Sequence, residues 1–236
     1  MTYARSLARK TLRAVGVEKI KHPCFADFMQ HEGIDTLLDV GGNEGHFALE
    51  MRERGFRGRI ISFEPIAEVY GTLATRAAND PHWNTHRLAL GDEASEAEIS
   101  IATAHVFSSF KRPSAYTSAK FVGAQEQARE IVPIVRLDQF LDAHPDAITS
   151  ATYLKIDTQG FEREVLAGAG TYISRFRSVQ LELPLRELYE GQPTLCEMVQ
   201  WMERRGFEIA MAKENGFDWQ ACRLLEMDVV FTRKAP

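Results

Sequence analysis

Short apolar runs alternate with amphipathic stretches along most of this chain. The runs are short enough for buried strands, and the strands are predicted at residues 36–40, 59–63, 85–90, 151–157 and 178–183. Stretches such as 66–79 repeat apolar side chains at helical spacing, as in Val69, Tyr70 and Leu73. Alternating strands and helices predict an α/β domain with a mostly parallel sheet and helices on both faces.

The last two strands are predicted at residues 207–211 and 227–232. No helical stretch lies between them, and Asn215-Gly216 is a strong turn signal, so we expect an antiparallel pair. The sheet would then have seven strands, with the last one antiparallel. We therefore predict one domain over residues 34–236, preceded by a helical leader at 1–33.

The stretch from Asp39 to Phe47 reads DVGGNEGHF and predicts a strand, a tight glycine turn and a helix. Such a turn typically holds a nucleotide-type cofactor. A dinucleotide fingerprint needs a different glycine spacing, and Glu44 would repel a pyrophosphate at the helix start. Asp39 and Glu44 suit the positive centres of S-adenosylmethionine. Glu64, at the end of the second strand, is placed to accept hydrogen bonds from the ribose hydroxyls.

Composition adds limits to this interpretation. The 236 residues carry a net charge of −5, which argues against a general nucleic-acid binder. The three cysteines lack metal-ligand spacing, and no apolar run is as long as a membrane span, so we expect a cytoplasmic protein with free thiols. Residues 1–21 are basic, and we weigh peripheral contact with an anionic membrane against packing on the domain or a partner.

Residues 103–130 interrupt the periodic pattern. A long irregular segment inside a compact domain is usually a lid or a binding loop, with a flexible surface excursion as the alternative. Ser108 and Ser109 lie within it and are candidates for contact with cofactor or substrate. Asp92, in the turn after the third strand, is a candidate acceptor for an adenine amine, and ordinary turn chemistry is the alternative.

Several stretches in a fixed order resemble the FkbM family of S-adenosylmethionine-dependent methyltransferases. They are DVGGNEGHF at 39–47, FEP at 63–65, ALGD at 89–92, LKIDTQGFE at 154–162, LEL at 181–183, LYEGQP at 188–193 and DVVF at 228–231. The resemblance implies a Rossmann-like class I methyltransferase fold and O-methylation of a hydroxyl, often on a sugar or a polyketide. Two departures are Gly42, where the family usually has alanine, and Gln159, where it usually has glutamate.

This resemblance and the strand-end positions give the predicted site. The predicted cofactor-binding residues are Asp39, Gly41, Gly42, Asn43, Phe47, Glu64, Pro65, Leu90, Gly91, Asp92 and Ser109. Asp157 is the expected catalytic base, and Lys155 shares its face of the strand. Alternatively, Asp157 and Glu182 end neighbouring strands and could hold Mg²⁺.

The expected activity is S-adenosylmethionine-dependent O-methylation of a sugar or glycoconjugate hydroxyl. The same chemistry on a polyketide or another secondary metabolite is the nearest alternative. An NAD-dependent oxidoreductase is the alternative from another class, and the glycine spacing and the terminal antiparallel pair argue against it. A cofactor-binding module without activity is a further alternative, which the acids at 39, 64 and 157 disfavour.

Overall fold

The computed structural model describes residues 23–234. Its strands are β1 (Thr36–Val40), β2 (Arg59–Phe63), β3 (Trp83–His86), β4 (Ala89–Gly91), β5 (Ser95–Ala102), β6 (Glu126–Arg136), β7 (Thr152–Ile156), β8 (Ser178–Pro184), β9 (Phe207–Asp218) and β10 (Arg223–Arg233). Its α-helices are α1 (Phe25–His31), α2 (His46–Glu53), α3 (Ala67–Ala77), α4 (Ala115–Lys120), α5 (Leu137–Ala143), α6 (Glu162–Gly168) and α7 (Leu195–Glu203).

Seven strands form the main sheet in the order β3-β2-β1-β7-β8-β10-β9. β10 pairs antiparallel with both β8 and β9, and the other pairs are parallel. This is the predicted mostly parallel sheet with an antiparallel strand near its end. Because β1 lies between β2 and β7, the turns that follow these three strands meet at one edge of the sheet.

Both faces of the central strands are buried. Leu38 and Leu154 pack in the core on one face, whereas Leu37 and Tyr153 pack in the core on the other. α1 covers the core that contains Leu37 and Tyr153, and it contributes Phe25 and Phe28. The ring of Phe28 lies 6.2 Å from that of Tyr153. Continuous apolar runs are therefore the expected pattern for these strands.

A second sheet of three strands, β4-β6-β5, explains one difference from the sequence prediction. The predicted strand at 85–90 is divided into β3 and β4. β2 ends at Phe63, opposite His86, so the following residues have no partner in the main sheet. Ala89 pairs instead with Ile134 of β6.

The terminal hairpin also differs from the prediction. β9 continues through Asn215-Gly216, and the turn lies at residues 219–222, where Cys222 has a φ of 52°. Gly216 pairs with Glu226 at an irregular point of the ladder, and the Asn215 side chain bonds Glu182. The Asn-Gly pair thus supports an irregular strand rather than a turn.

The segment at 103–130 is structured in part, because it contains α4, two 3₁₀ turns and the start of β6. Its suggested role as a lid stays a prediction. The basic leader at 1–21, with its suggested membrane contact, lies outside the described residues. None of the described helices is long and apolar enough to cross a membrane.

Candidate active site

A cavity of about 320 Å³ opens where β1, β2 and β7 end. Nine of the predicted site residues line it: Gly41, Gly42, Asn43, Phe47, Glu64, Pro65, Leu90, Lys155 and Asp157. Residues that are distant in the sequence are thus brought together by the order of the strands. The cavity is of the size that holds a small-molecule ligand.

The glycine turn shapes one wall of this cavity. Gly41 has a φ of 73°, and a Cβ on it would lie 1.8 Å from the carbonyl oxygen of Asp157. A side chain is therefore excluded both by the backbone conformation and by the neighbouring strand end. This close approach brings the turn after β1 directly against the turn after β7.

Glu64 is buried beside this turn. One carboxylate oxygen accepts a hydrogen bond from the backbone N–H of Asn43 at 3.1 Å, and the other accepts one from the N–H of Ile66 at 2.9 Å. Burial raises the pKa of Glu64 to about 7, although these two bonds act in the opposite direction. A buried carboxyl in a cavity wall is suited to hydrogen bonding with a ligand's hydroxyl groups.

Lys155 lies between two carboxylates. Its Nζ is 3.1 Å from Asp39 Oδ1 and 3.5 Å from Asp157 Oδ2. Burial acts to lower the pKa of Lys155, but the charges of Asp39 and Asp157 outweigh it and raise the pKa above its usual value. Lys155 is therefore an ammonium ion, and it links the end of β1 with the end of β7.

Asp157 and Glu182 come together, as the sequence predicts for the ends of neighbouring strands. The side-chain amide of Gln159 lies between them and donates to Asp157 Oδ1 at 2.9 Å and to Glu182 Oε2 at 2.6 Å. Asn215 donates to the other oxygen of Glu182 at 2.5 Å. Burial and the nearby charge of Asp157 hold the pKa of Glu182 well above its usual range.

This arrangement does not fit the predicted Mg²⁺ site. Both carboxylates accept hydrogen bonds from the Gln159 NH₂ group, which occupies the position that a shared cation would need. The hydrogens of this group would point at a cation placed there, so the amide nitrogen would not be a ligand. Among residues 23–234, no group of three or more His, Cys, Asp or Glu side chains is placed to hold a metal ion. The described residues therefore do not form the predicted Mg²⁺ site.

Comparison with known proteins decides the family. The model of the methyltransferase FkbM domain matches residues 39–209, which is more than half of the chain. The chain belongs to the FkbM methyltransferase family. It is also similar to Methyltransferase 1 of Beauveria bassiana (strain ARSEF 2860), with 22% identity over 228 residues, covering 92% of this chain and 88% of that protein.

Solved structures support the fold of this FkbM methyltransferase. One is magnesium protoporphyrin IX methyltransferase (ChlM) from Synechocystis PCC 6803, with bound SAM. Its TM-score is 0.50 at 10% identity, and the match covers 98% of this chain and 82% of that one. Another is the methyltransferase domain of bacterial CtHen1-C, with a TM-score of 0.50, 12% identity, and coverage of 89% and 95%. Both show the class I methyltransferase fold.

Some predicted residues of this FkbM domain lie away from the cavity wall. Gly91 packs against Ile134 and Phe161, and Asp92 is exposed in the turn after β4. Ser109 is buried, and its hydroxyl donates to the carbonyl oxygen of Gln159 at 2.7 Å. Leu90 and Ser108 line the cavity instead. Contact of Gly91, Asp92 or Ser109 with the cofactor stays a prediction.

The cavity wall also contains residues that the sequence analysis did not assign to the site. Four polar side chains on β8, β9 and β10 line the cavity: Gln180, Lys213, Asn215 and Asp228. Asp228 was detectable as the single acid within the predicted strand at 227–232. Asn215 could not be detected in this way, because the Asn-Gly pair predicted a turn rather than a strand in the cavity wall.

Glu162 has a larger structural role than the general preference for an acid at a helix N-terminus. It is buried, and its Oε1 atom accepts hydrogen bonds from Thr158 N, Thr158 Oγ1 and Gly160 N. Burial raises the pKa of Glu162 to about 7. Glu162 therefore fixes the turn that presents Asp157 and Gln159 to the cavity.

Proposed function

We propose that this FkbM methyltransferase uses S-adenosylmethionine to methylate a hydroxyl group of a sugar or glycoconjugate. The observation that carries this proposal is the position of Asp157. Its carboxylate is 30% exposed at the cavity, yet it is held by Lys155 on one oxygen and by Gln159 on the other. A held carboxylate beside a cofactor cavity is suited to take a proton from an acceptor hydroxyl.

The cavity also fits the cofactor. Glu64 would accept the two ribose hydroxyls, since each of its oxygens keeps a free lone pair beyond its backbone bond. Ile66, Val69 and Leu90 form an apolar wall suited to the adenine. The glycine turn at Gly41 would allow the backbone to approach the cofactor closely, because glycine has no side chain there. When bound, the cofactor supplies a methyl group that is already activated by a positive sulfur.

The remaining work of the protein is alignment and proton removal. Alignment of two reactants can supply on the order of 7–11 kcal/mol of the barrier. A carboxylate base adds about 10²–10⁴-fold. Asp157 is the base in this proposal. Lys155 remains protonated and positions Asp157, because its ammonium contacts both Asp157 and Asp39.

The far wall of the cavity supports a sugar as the acceptor. Gln180, Lys213, Asn215 and Asp228 give both hydrogen-bond donors and acceptors within one region. A molecule with several neighbouring hydroxyl groups would bond to such a wall at more than one point. This mixture of amides and charges is less suited to a flat apolar acceptor.

A secondary-metabolite hydroxyl, as in a polyketide, is the second candidate. Val106 is 57% exposed and lines the same cavity, as does Phe110 of the same segment at 103–130. An acceptor with an apolar body could cover these side chains. The two candidates share the cofactor and the base and differ only in the acceptor.

Transfer of a labelled methyl group to a panel of acceptors tests the proposal. The panel contains methyl glycosides, their monodeoxy analogues, hydroxylated polyketides, aliphatic amines and bulk tRNA. We expect label in glycosides and its loss when the one reacting hydroxyl is removed. Label in polyketides alone would favour the second candidate, and label in amines or tRNA alone would contradict O-methylation of a sugar.

A further inference from the structure

The amide of Gln159, in the cavity wall after β7, is at the centre of a chain of hydrogen bonds. Tyr189 donates from its hydroxyl to Gln159 Oε1 at 2.9 Å. The Gln159 Nε2 atom then donates one hydrogen to Asp157 and the other to Glu182. All the hydrogens of the amide are therefore used within the protein.

The orientation of this amide follows from its partners. Two carboxylates on one side require donors, and only the NH₂ end of the amide can supply two. The hydroxyl of the buried Tyr189 on the other side supplies a donor to the carbonyl end. The reversed orientation would place the amide oxygen against Asp157 Oδ1 and Glu182 Oε2, the two oxygen atoms that now accept from Nε2.

The backbone at Gln159 is also held in a costly conformation. Its φ is 54°, which residues other than glycine rarely adopt. Its carbonyl oxygen accepts the hydroxyl of Ser109, and Glu162 fixes the backbone on both sides of it. The surrounding residues thus stabilise a strained position that directs one side chain between two acids.

We propose that Gln159 is a positioning residue whose amide stands where a divalent cation would otherwise join Asp157 and Glu182, so that the acceptor site works without metal. This inference rests on the proposed role of Asp157 as the base. Gln159 has no free hydrogen for the acceptor, so it acts through Asp157. It keeps the base separated from Glu182 and directed at the cavity.

The first test measures metal binding and needs no acceptor. Electron paramagnetic resonance of Mn²⁺ mixed with the wild-type protein is expected to show free ion only, even at millimolar Mn²⁺. Gln159→Glu, which places a third carboxylate between the two, is expected to bind one Mn²⁺. Binding of Mn²⁺ by the wild type that is lost in Glu182→Gln would overturn the proposal.

The second test separates positioning from stability. Gln159→Asn is one methylene shorter and tolerates positive φ well, so we expect it to fold but not to reach both carboxylates. The expected result is a fall in kcat of about 10²-fold, with the Kd for S-adenosylhomocysteine unchanged. Gln139→Asn, at an exposed position of α5, is the matched control.

The outcomes distinguish this inference from the proposed function. The transfer assay uses whichever acceptor class takes the label, so a sugar is not required. If Gln159→Asn keeps wild-type kcat, the positioning role is overturned even when Asp157 is essential. If Tyr189→Phe lowers kcat in the same direction but less, the chain from Tyr189 through Gln159 to Asp157 is supported.

Discussion

The two sides of the cavity are built in different ways. The side that we assign to the cofactor, called the cofactor side, comes mainly from one continuous unit. In it β1, the glycine turn and α2 lie within 18 residues, and Glu64 directly follows the neighbouring strand β2. The side that we assign to the acceptor, called the acceptor side, is assembled from the ends of β7 and β8, from the irregular hairpin of β9 and β10, and from the segment at 103–130. A local sequence pattern therefore specifies the first side but not the second.

The same contrast appears in the electrostatics. On the cofactor side, Glu64 is held by backbone N–H groups, which any sequence supplies. On the acceptor side, Asp157 is held by the side chains of Lys155 and Gln159, which substitution can change. We infer that the cofactor site depends on backbone geometry, whereas the chemistry depends on a network of polar side chains.

The largest expected effect tests the backbone geometry. Gly41→Ala places a methyl group against the carbonyl of Asp157 at positive φ, and should lower the free energy of unfolding by at least about 3 kcal/mol. Gly71→Ala in α3 has open space around it and is expected to stabilise by up to about 1 kcal/mol. Urea denaturation measures both. Similar changes in the free energy of unfolding of the two variants would show that the contact between Gly41 and the Asp157 carbonyl does not exclude a side chain.

The next effect concerns ligand binding on the cofactor side. Glu64→Gln replaces one of the two acceptor oxygens with an NH₂ donor, so we expect the Kd for S-adenosylhomocysteine to rise about 10–100-fold by calorimetric titration. Glu68→Gln, at an exposed position of α3, serves as the control and should bind as the wild type does. An unchanged Kd for Glu64→Gln would remove the ribose assignment.

A third prediction sharpens the comparison through the pH dependence of stability. The pKa of Glu162 is raised from 4.5 to about 7, so its neutral form is favoured in the fold and its contribution to stability is lost as the pH rises through 7. Glu162→Gln keeps the single oxygen that accepts all three bonds and removes the charge. We expect it to stabilise by about 2–3 kcal/mol at pH 8.5 and by little at about pH 4.

Chemical denaturation at the two pH values measures this difference. Glu53→Gln removes an exposed charge from α2 and is the control. Equal effects of Glu162→Gln at both pH values would show that the buried charge of Glu162 does not strain the turn after β7.

Much of the cofactor side was predictable, because an apolar run, a glycine turn and an acid at a strand end are local signals with local causes. The place of Asp157 was predictable for the same reason, since it ends a buried strand. The hydrogen bond from Asn215 to Glu182 was not, because it depends on β9 continuing through an Asn-Gly pair that usually forms a turn. The role of Gln159 depends on three separate segments meeting around one amide.

The most direct test of the account is methyl transfer by Asp157→Asn, measured together with its affinity for S-adenosylhomocysteine. Asparagine keeps the size of the side chain but cannot take the proton. The account predicts a fall in kcat of about 10²–10⁴-fold with the Kd for S-adenosylhomocysteine unchanged. Wild-type kcat in this variant would contradict Asp157 as the base, and loss of S-adenosylhomocysteine binding would place Asp157 on the cofactor side instead.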